Sequence, residues 1–404
     1  MSQAAAPTST ADAIAALGAL GKAQPTDAPL AGLTVVDLSR VLAGPFVSML
    51  LGDLGAEVIK VERPGTGDDT RQWGPPFVGA PEHQQSTYFL STNRNKRSIV
   101  LDLRDTGDFA TLLSLLRRAD VVIENFRPGV MDRLGLSSDF LQQLNPALVC
   151  LSISGFGSLG PDKDRVGYDQ ILQAEGGMMG LTGLGTPTKA GVPVADLTAG
   201  LFGLVGVLAA LLERARSGQG QHVHTSLLAA MIGMHTFQGT RWLIGGEVPE
   251  PAGNQHPTVC PYGLFWTQNA PIVIAVGNND IWRRFAPLVG IAVDDERFAS
   301  NAARLANADL LEELLNAALQ GEPVEHWMTE FQAAGVPAGE VKTLDRVYDD
   351  PHVQAEGLIT HVEHPTLGRI RLPGNPIRFS RSSSVDPLPP PLLGEHTEEV
   401  RDQR

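Results

Sequence analysis

Asp196 is the only ionisable residue between Lys189 and Glu213, within the apolar stretch AGVPVADLTAGLFGLVGVLAALL (190–212). An uncompensated carboxylate buried in such surroundings is costly or answers with a raised pKa, so it is there as a cap or as a chemical tool. Leu197, Thr198 and the apolar run to Leu212 make Asp196 a good helix N-cap, its oxygen accepting the free amides of the first turn. The two roles are compatible, because a carboxylate at a helix N-terminus stays ionised and therefore nucleophilic.

Cations gather early in the chain, at Lys60, Arg63, Arg71, Arg94, Lys96, Arg97, Arg104, Arg127 and Arg133. All fall at strand ends or in connecting loops, where open α/β sheets bind ligands and where Arg and Lys suit phosphate or carboxylate groups. Most such charges are ordinary solvated surface; the concentration in 93–104 and 125–133 nevertheless points to an anionic ligand. GFGSLG (155–160) is a literal GxGxxG after a strand, but Pro161-Asp162-Lys163-Asp164 follows where a dinucleotide fingerprint needs a helix. It reads as a loop. His222, His224, His256, His361 and His364 have no ligand spacing, so no metal is assigned. GxSxG and GK[ST] motifs are absent, which sets serine and nucleotide hydrolysis aside.

These residues must be carried by alternating elements. LTVVDL (33–38), EVIKVE (57–62), SIVLDL (98–103), VVIEN (121–125) and ALVCLSIS (147–154) read as strands, with helices at 44–54 and 107–119. Strands separated by helices of this length make βαβ units, hence an α/β domain with an open parallel sheet. A second region begins near QGQHVHTSLLAAMIGMHTF (219–237), continues through strands at 261–267 and 271–277 and helices at 280–289, 306–319 and 324–334, and ends near Gly335. Segment 361–380 returns to strands and turns. The expected organisation is a flexible tail at 1–28 around a short helix near 11–20, a large domain at 29–218, a smaller α+β domain at 219–335, and a return to the large domain at 336–404.

With 404 residues, 43% hydrophobic and 19% charged, the chain can bury a sizeable core. A net charge of −14 argues against nucleic acid and against a basic membrane-binding surface. The run from Leu197 to Leu212 is shorter than the ~20 residues of a membrane span and reads as a buried helix. Cys150 and Cys260 show no disulfide or zinc spacing, and segment 1–28 lacks the basic features of a leader, so a reducing, cytoplasmic location is expected.

PLAGLTVVDLSRVLAGPF (29–46), LGDLGAEVIKVERPGTGDDTRQWGPPF (51–77), NRNKRSIVLDLR (93–104), VIENFRPGVMDRLGL (122–136), GYDQ (167–170), VADLTAG (194–200), AGVPAGEV (334–341) and PPPLLGEHTEEV (389–400) together resemble the class III CoA-transferases, the family of formyl-CoA transferase and carnitine CoA-transferase. The similarity runs in order from about Pro29 to the C-terminus.

The resemblance implies Asp196 as nucleophile, with Gly200 completing its D-x-x-x-G pattern. CoA-contacting positions fall on Arg63, Leu101, Arg104, Asn125, Phe126, Arg133 and Leu134, and the substrate pocket on Leu42, Arg71, Trp73, Arg94, Tyr168 and Asp169. It further implies a Rossmann-like large domain, an interlocked homodimer with loop 254–261 as a lid, CoA thioester as substrate and no tightly bound cofactor or metal. A related branch, the α-methylacyl-CoA racemases, has His where this chain has Tyr168, and a tyrosine of pKa ~10 is a poor acid/base partner at neutral pH. Leu42 stands where formyl-CoA transferase has Gln, which counts against oxalate and formate, and the GDDTRQWGPPF and NRNKRSI segments resemble the branch that moves CoA between succinyl-CoA and dicarboxylates such as glutarate, itaconate, mesaconate or malate, with Arg71 and Arg94 as candidate partners for a distal carboxylate. A racemase and a non-catalytic CoA-binding protein remain the alternatives.

Overall fold

Short runs dense in Val and Ile form the strands of the large unit, as befits strands covered on both faces. The computed structural model describes residues 27–383 and 385–402, so the helix expected near 11–20 lies outside the described residues. Thr34–Asp37 (β1), Glu57–Glu62 (β2), Arg97–Val100 (β3), Val121–Glu124 (β4), Val149–Ser154 (β5) and His222–Ser226 (β6) make one sheet in the order β3-β2-β1-β4-β5-β6. Every neighbouring pair is parallel. The order reverses between β1 and β4, and in such sheets the crevice beyond the carboxyl ends at that point is where ligands bind.

Three helices matter to the site. Ala43–Asp53 (α1) follows β1 directly, and Thr106–Arg118 (α2) starts at the N-cap Asp105, whose carboxylate accepts the Gly107 and Asp108 amides. Val194–Ser217 (α3) begins three residues earlier than the sequence suggests and carries Asp196 in its first turn. By length and composition α3 could cross a membrane. It packs instead on α1 and the sheet, with glycines at the closest approaches. A Cβ on Gly200 would lie 3.0 Å from the Ala43 carbonyl oxygen and 3.1 Å from Phe46, and one on Gly206 would lie 2.5 Å from Val223. The other face of α3 leaves Leu201, Phe202, Val205 and Leu212 exposed.

The chain divides into two compact units, and their boundaries differ from the sequence expectation at both ends. The larger holds the chain up to Leu172, Val194–Ala230 and Gly357 onward; the smaller holds Gln173–Pro193 and Met231–Glu356. The expected break at 219 falls inside the large sheet, because QHVHTS supplies β6 in register Cys150↔His222. In the smaller unit Tyr262–Trp266, Pro271–Ala275 and Ala338–Glu340 form an antiparallel sheet. Its core is built around Trp282, Phe285, Phe298 and Phe331. Ile359–His364 and Gly368–Pro373 form an antiparallel hairpin in the larger unit.

Candidate active site

Asp196 is not the cap of its helix. The oxygen that receives the free amides of α3 belongs to Asp169, whose Oδ1 accepts from Ala195 N at 2.8 Å and Asp196 N at 3.4 Å. Asp196 is thereby released from capping, half-buried in the first turn, with a second carboxylate beside it. Burial, and after it the Asp169 charge, push its pKa up to about 7. As a cap the carboxylate was expected to stay ionised; freed from that role it shows the raised pKa expected of an uncompensated buried carboxylate. A poorly solvated carboxylate of this kind is a better nucleophile than a solvated one, and its attack on an acyl carbon is group-transfer chemistry.

Tyr88 joins this group from Thr87–Thr92, a short helix capped by Ser86. Its ring meets Trp73 edge-on, with centroids 5.2 Å apart. Burial, then the charges of Asp196, Asp169 and Asp68, push its hydroxyl up to about 12, so it stays a proton donor throughout the working range. Tyr88 thus links Trp73, which its ring contacts, to the Asp169 and Asp196 carboxylates, whose charges it feels. The sequence reading missed Tyr88 and offered no signal for it, since only the fold brings residue 88 near residue 196. Tyr168 is 55% exposed, and its carbonyl accepts the Ile171 and Leu172 amides. Leu42 is buried at the N-cap of α1 and offers no side-chain cap there.

A cleft of about 730 Å³ opens where the strand order reverses, at the carboxyl ends of β1, β2 and β4 and past the end of β3. Arg63, Leu101, Arg104, Phe126, Arg133 and Leu134 line it, together with Arg40 and Arg127. Asn125 works one step behind. Its Oδ1 accepts the Arg40 amide at 2.8 Å and its Nδ2 donates to the Arg40 carbonyl at 2.6 Å, which fixes the β1–α1 loop at the cleft rim. Arg40 lies 5.5 Å over the Phe126 ring and 3.3 Å from Asp69, which also pairs with Arg63; Arg104 pairs with Asp102. Apolar walls at Leu101, Phe126 and Leu134 under a rim of guanidinium groups suit a flat base attached to phosphates.

The remaining cations of the sequence cluster do other work. Arg94 was expected to face a distal carboxylate, but its fork is spent on Asp53 and the Pro373 carbonyl, with both charged side chains only 4% exposed. Arg71, expected in the same role, forks onto Glu62, donates to the Pro391 carbonyl and stacks 3.6 Å over Phe89. Lys60 and Lys96 are fully buried. Burial opposes the Lys60 charge, yet Asp68, Asp37 and Glu62 hold its pKa above the ordinary value; burial brings Lys96 down to about 7 against the pull of Asp37. Burial also works against the Asp68 carboxylate, which Lys60 and the Thr70 hydrogen bonds bring down to about 2.

Comparison with known proteins places this arrangement. Residues 30–397 match the model of CoA-transferase family III. The chain is 39% identical to succinyl-CoA:glutarate CoA-transferase of Mus musculus over 376 residues, covering 92% of this chain and 85% of that one. It is 40% identical to acetyl-CoA:oxalate CoA-transferase of Acetobacter aceti over 357 residues, covering 87% and 89%. Among solved structures, a CAIB/BAIF family protein from Brucella suis superposes with a TM-score of 0.84 at 40% identity, covering 94% of this chain and all of that one. With the Asp196 segment and the cleft both inside the matched span, the chain belongs to CoA-transferase family III and is a CoA-transferase.

Proposed function

We propose that the protein moves CoA from succinyl-CoA to a dicarboxylate such as glutarate, using Asp196 as the nucleophile and the cleft at the strand-order reversal to hold CoA. The observation that carries the reading is the half-buried Asp196 carboxylate, freed from capping by Asp169 and raised to about 7.

The Asp196 carboxylate attacks the thioester carbonyl of the donor, the C–S bond breaks, and CoA thiolate leaves an aspartyl anhydride. The thiolate then attacks the aspartyl carbonyl, releasing the donor acid as a carboxylate and leaving an aspartyl-CoA thioester. An incoming carboxylate displaces the thiolate to form a second anhydride, and the thiolate attacks its acyl carbon, which restores Asp196. No proton is consumed or released over the cycle, so the site needs positioning and exclusion of water more than an acid/base pair. Tyr168, exposed where the racemase branch carries histidine, fits that economy. Tyr88, which stays protonated and feels the Asp196 charge, is the candidate donor to oxygen charge that develops there.

Incubation with succinyl-CoA and hydroxylamine should leave a hydroxamate on Asp196, read by peptide mass. An unmodified Asp196, or an Asp196→Ala variant with full transfer activity, refutes the mechanism. A second substrate reading is favoured by the likeness to the acetyl-CoA:oxalate enzyme. Succinyl-CoA and acetyl-CoA assayed against glutarate, mesaconate, malate and oxalate separate the two. The exposed Leu201, Phe202, Val205 and Leu212 on α3 support a homodimer, which light scattering on the eluting protein tests.

A further inference from the structure

Beneath the loop joining β1 to α1 lies a buried ionic network to which the reaction scheme gives no task. Lys96 Nζ donates to the Pro45 carbonyl at 2.9 Å, to Asn93 Oδ1 at 2.8 Å and to Asp37 Oδ2 at 3.2 Å. Ser48 Oγ reaches the same Asp37 oxygen at 2.6 Å. Lys60 Nζ donates to the Ser39 carbonyl at 2.9 Å and pairs with Asp68 at 2.9 Å, while Asp68 Oδ1 accepts the Val41 amide at 3.2 Å. Asp37, Ser48, Lys60, Asp68 and Lys96 are each at most 1% exposed.

The network has two ends, and each reaches half of the site. One end supports the cleft wall, since Leu38, Ser39, Arg40, Lys60 and Asp68 all line the cleft. The other supports the first turn of α1 at Pro45. Beside Pro45, Ala43 and Phe46 receive Gly200 of α3, one helical turn after Asp196. Between the two ends Val41 sits at φ 71°, a left-handed backbone that a β-branched residue keeps only where its surroundings over-determine it. Stability alone would be served as well by apolar side chains in the same volume; hydrogen-bonded charges add a fixed geometry.

We propose that Lys96, backed by Asp37 and Lys60, is a positioning residue for acyl transfer, a strut under α1 that sets the separation between the CoA cleft and the Asp196 carboxylate. It touches no substrate. The proposal rests on the reading of Asp196 as nucleophile. A misplacement of ~1 Å between reacting groups costs on the order of a hundredfold in rate.

The test compares Lys96→Met, which keeps the length and removes the donors, with Leu112→Ala, a fully buried core position of the larger unit outside the network. Lys96→Met should lower kcat by at least about tenfold while KM for the acyl-CoA stays within about threefold. Leu112→Ala, assayed at the same interval below its own melting temperature, should keep kcat within about twofold of the unaltered protein at that temperature. If Lys96→Met retains kcat, or loses it only in step with Leu112→Ala, the strut is refuted. Should Lys96→Met fail to fold, Ser48→Ala carries the test: a several-fold fall in kcat at near-native melting temperature supports the strut, and native kcat overturns it. Absence of an Asp196 hydroxamate in the unaltered protein would instead overturn the nucleophile reading, so the two failures are distinguishable.

Discussion

Asp169→Asn separates the two jobs that the structure gives Asp169, capping α3 and raising Asp196. The amide oxygen of Asn can still accept from Ala195 N and Asp196 N, and Asn caps helices about as well as Asp, so the melting temperature should hardly move. The charge, however, is gone. Roughly three pH units separate the Asp196 value of about 7 from the ordinary 3.8, and burial is the larger of the two causes, so Asp169 accounts for less than half. A neighbouring unit charge at ~6 Å and an effective dielectric of ~20–40 is worth about 1.4–2.8 kcal/mol. The lower figure, about one pH unit, fits within that share. In the proposed mechanism Asp196 attacks only when ionised, so the acidic limb of log(kcat/KM) against pH should have its midpoint near 7 in the native protein and about one unit lower in Asp169→Asn. Rates with a saturating acceptor, measured from pH 5 to 9, read this directly. An unmoved or raised midpoint in a folded variant would refute the electrostatic coupling.

The same raised value has a stability consequence. A carboxylate whose folded pKa lies above its unfolded one binds its proton more tightly when folded, so its contribution to stability is lost as pH rises from 3.8 through about 7. Asp196→Asn should therefore stabilise the protein at pH 8 by on the order of 2–4 kcal/mol and much less at pH 4, as denaturant midpoints would show. Arg94→Ala should cost about 3–5 kcal/mol, because Asp53 stays buried with only Asn95 donating to it among the described residues, while KM for the proposed dicarboxylate acceptor is unchanged below the melting transition. A selective rise in that KM would restore Arg94 to the substrate pocket. Arg133→Ala should raise KM for the acyl-CoA about 5–30-fold with kcat preserved, the loss expected for one charge-assisted phosphate contact worth ~1–2 kcal/mol. Equal KM values at low salt would show that Arg133 does not meet the phosphates.

Periodicity made most of the larger unit readable. Glu57–Glu62 forms the strand read from EVIKVE, and the α1 and α2 boundaries fall within about a residue of those expected. Near 219 the same reasoning went astray, because nothing local says that His222–Ser226 pairs in parallel with Val149–Ser154 and so belongs to the earlier sheet. Lys60 and Lys96 show the limit for charges. Both counted among the cations available to a ligand, but Asp37 and Asp68 reach them from other elements and hold their ammonium groups in buried ion pairs.

The misreading at Asp196 follows from the same limit and is the most instructive for function. Read locally, the residue before an apolar helical run is its cap, and a capping carboxylate has a low pKa. The helix starts earlier, at Val194, and the cap comes from Asp169, 27 residues upstream. That substitution of one carboxylate for another reverses the electrostatics at Asp196, from stabilised by amides to crowded by a like charge. The sequence supplied two acidic residues and a helix; which acid pays for the helix end, and which is left uncapped with a raised pKa, depended on a contact that only the fold creates.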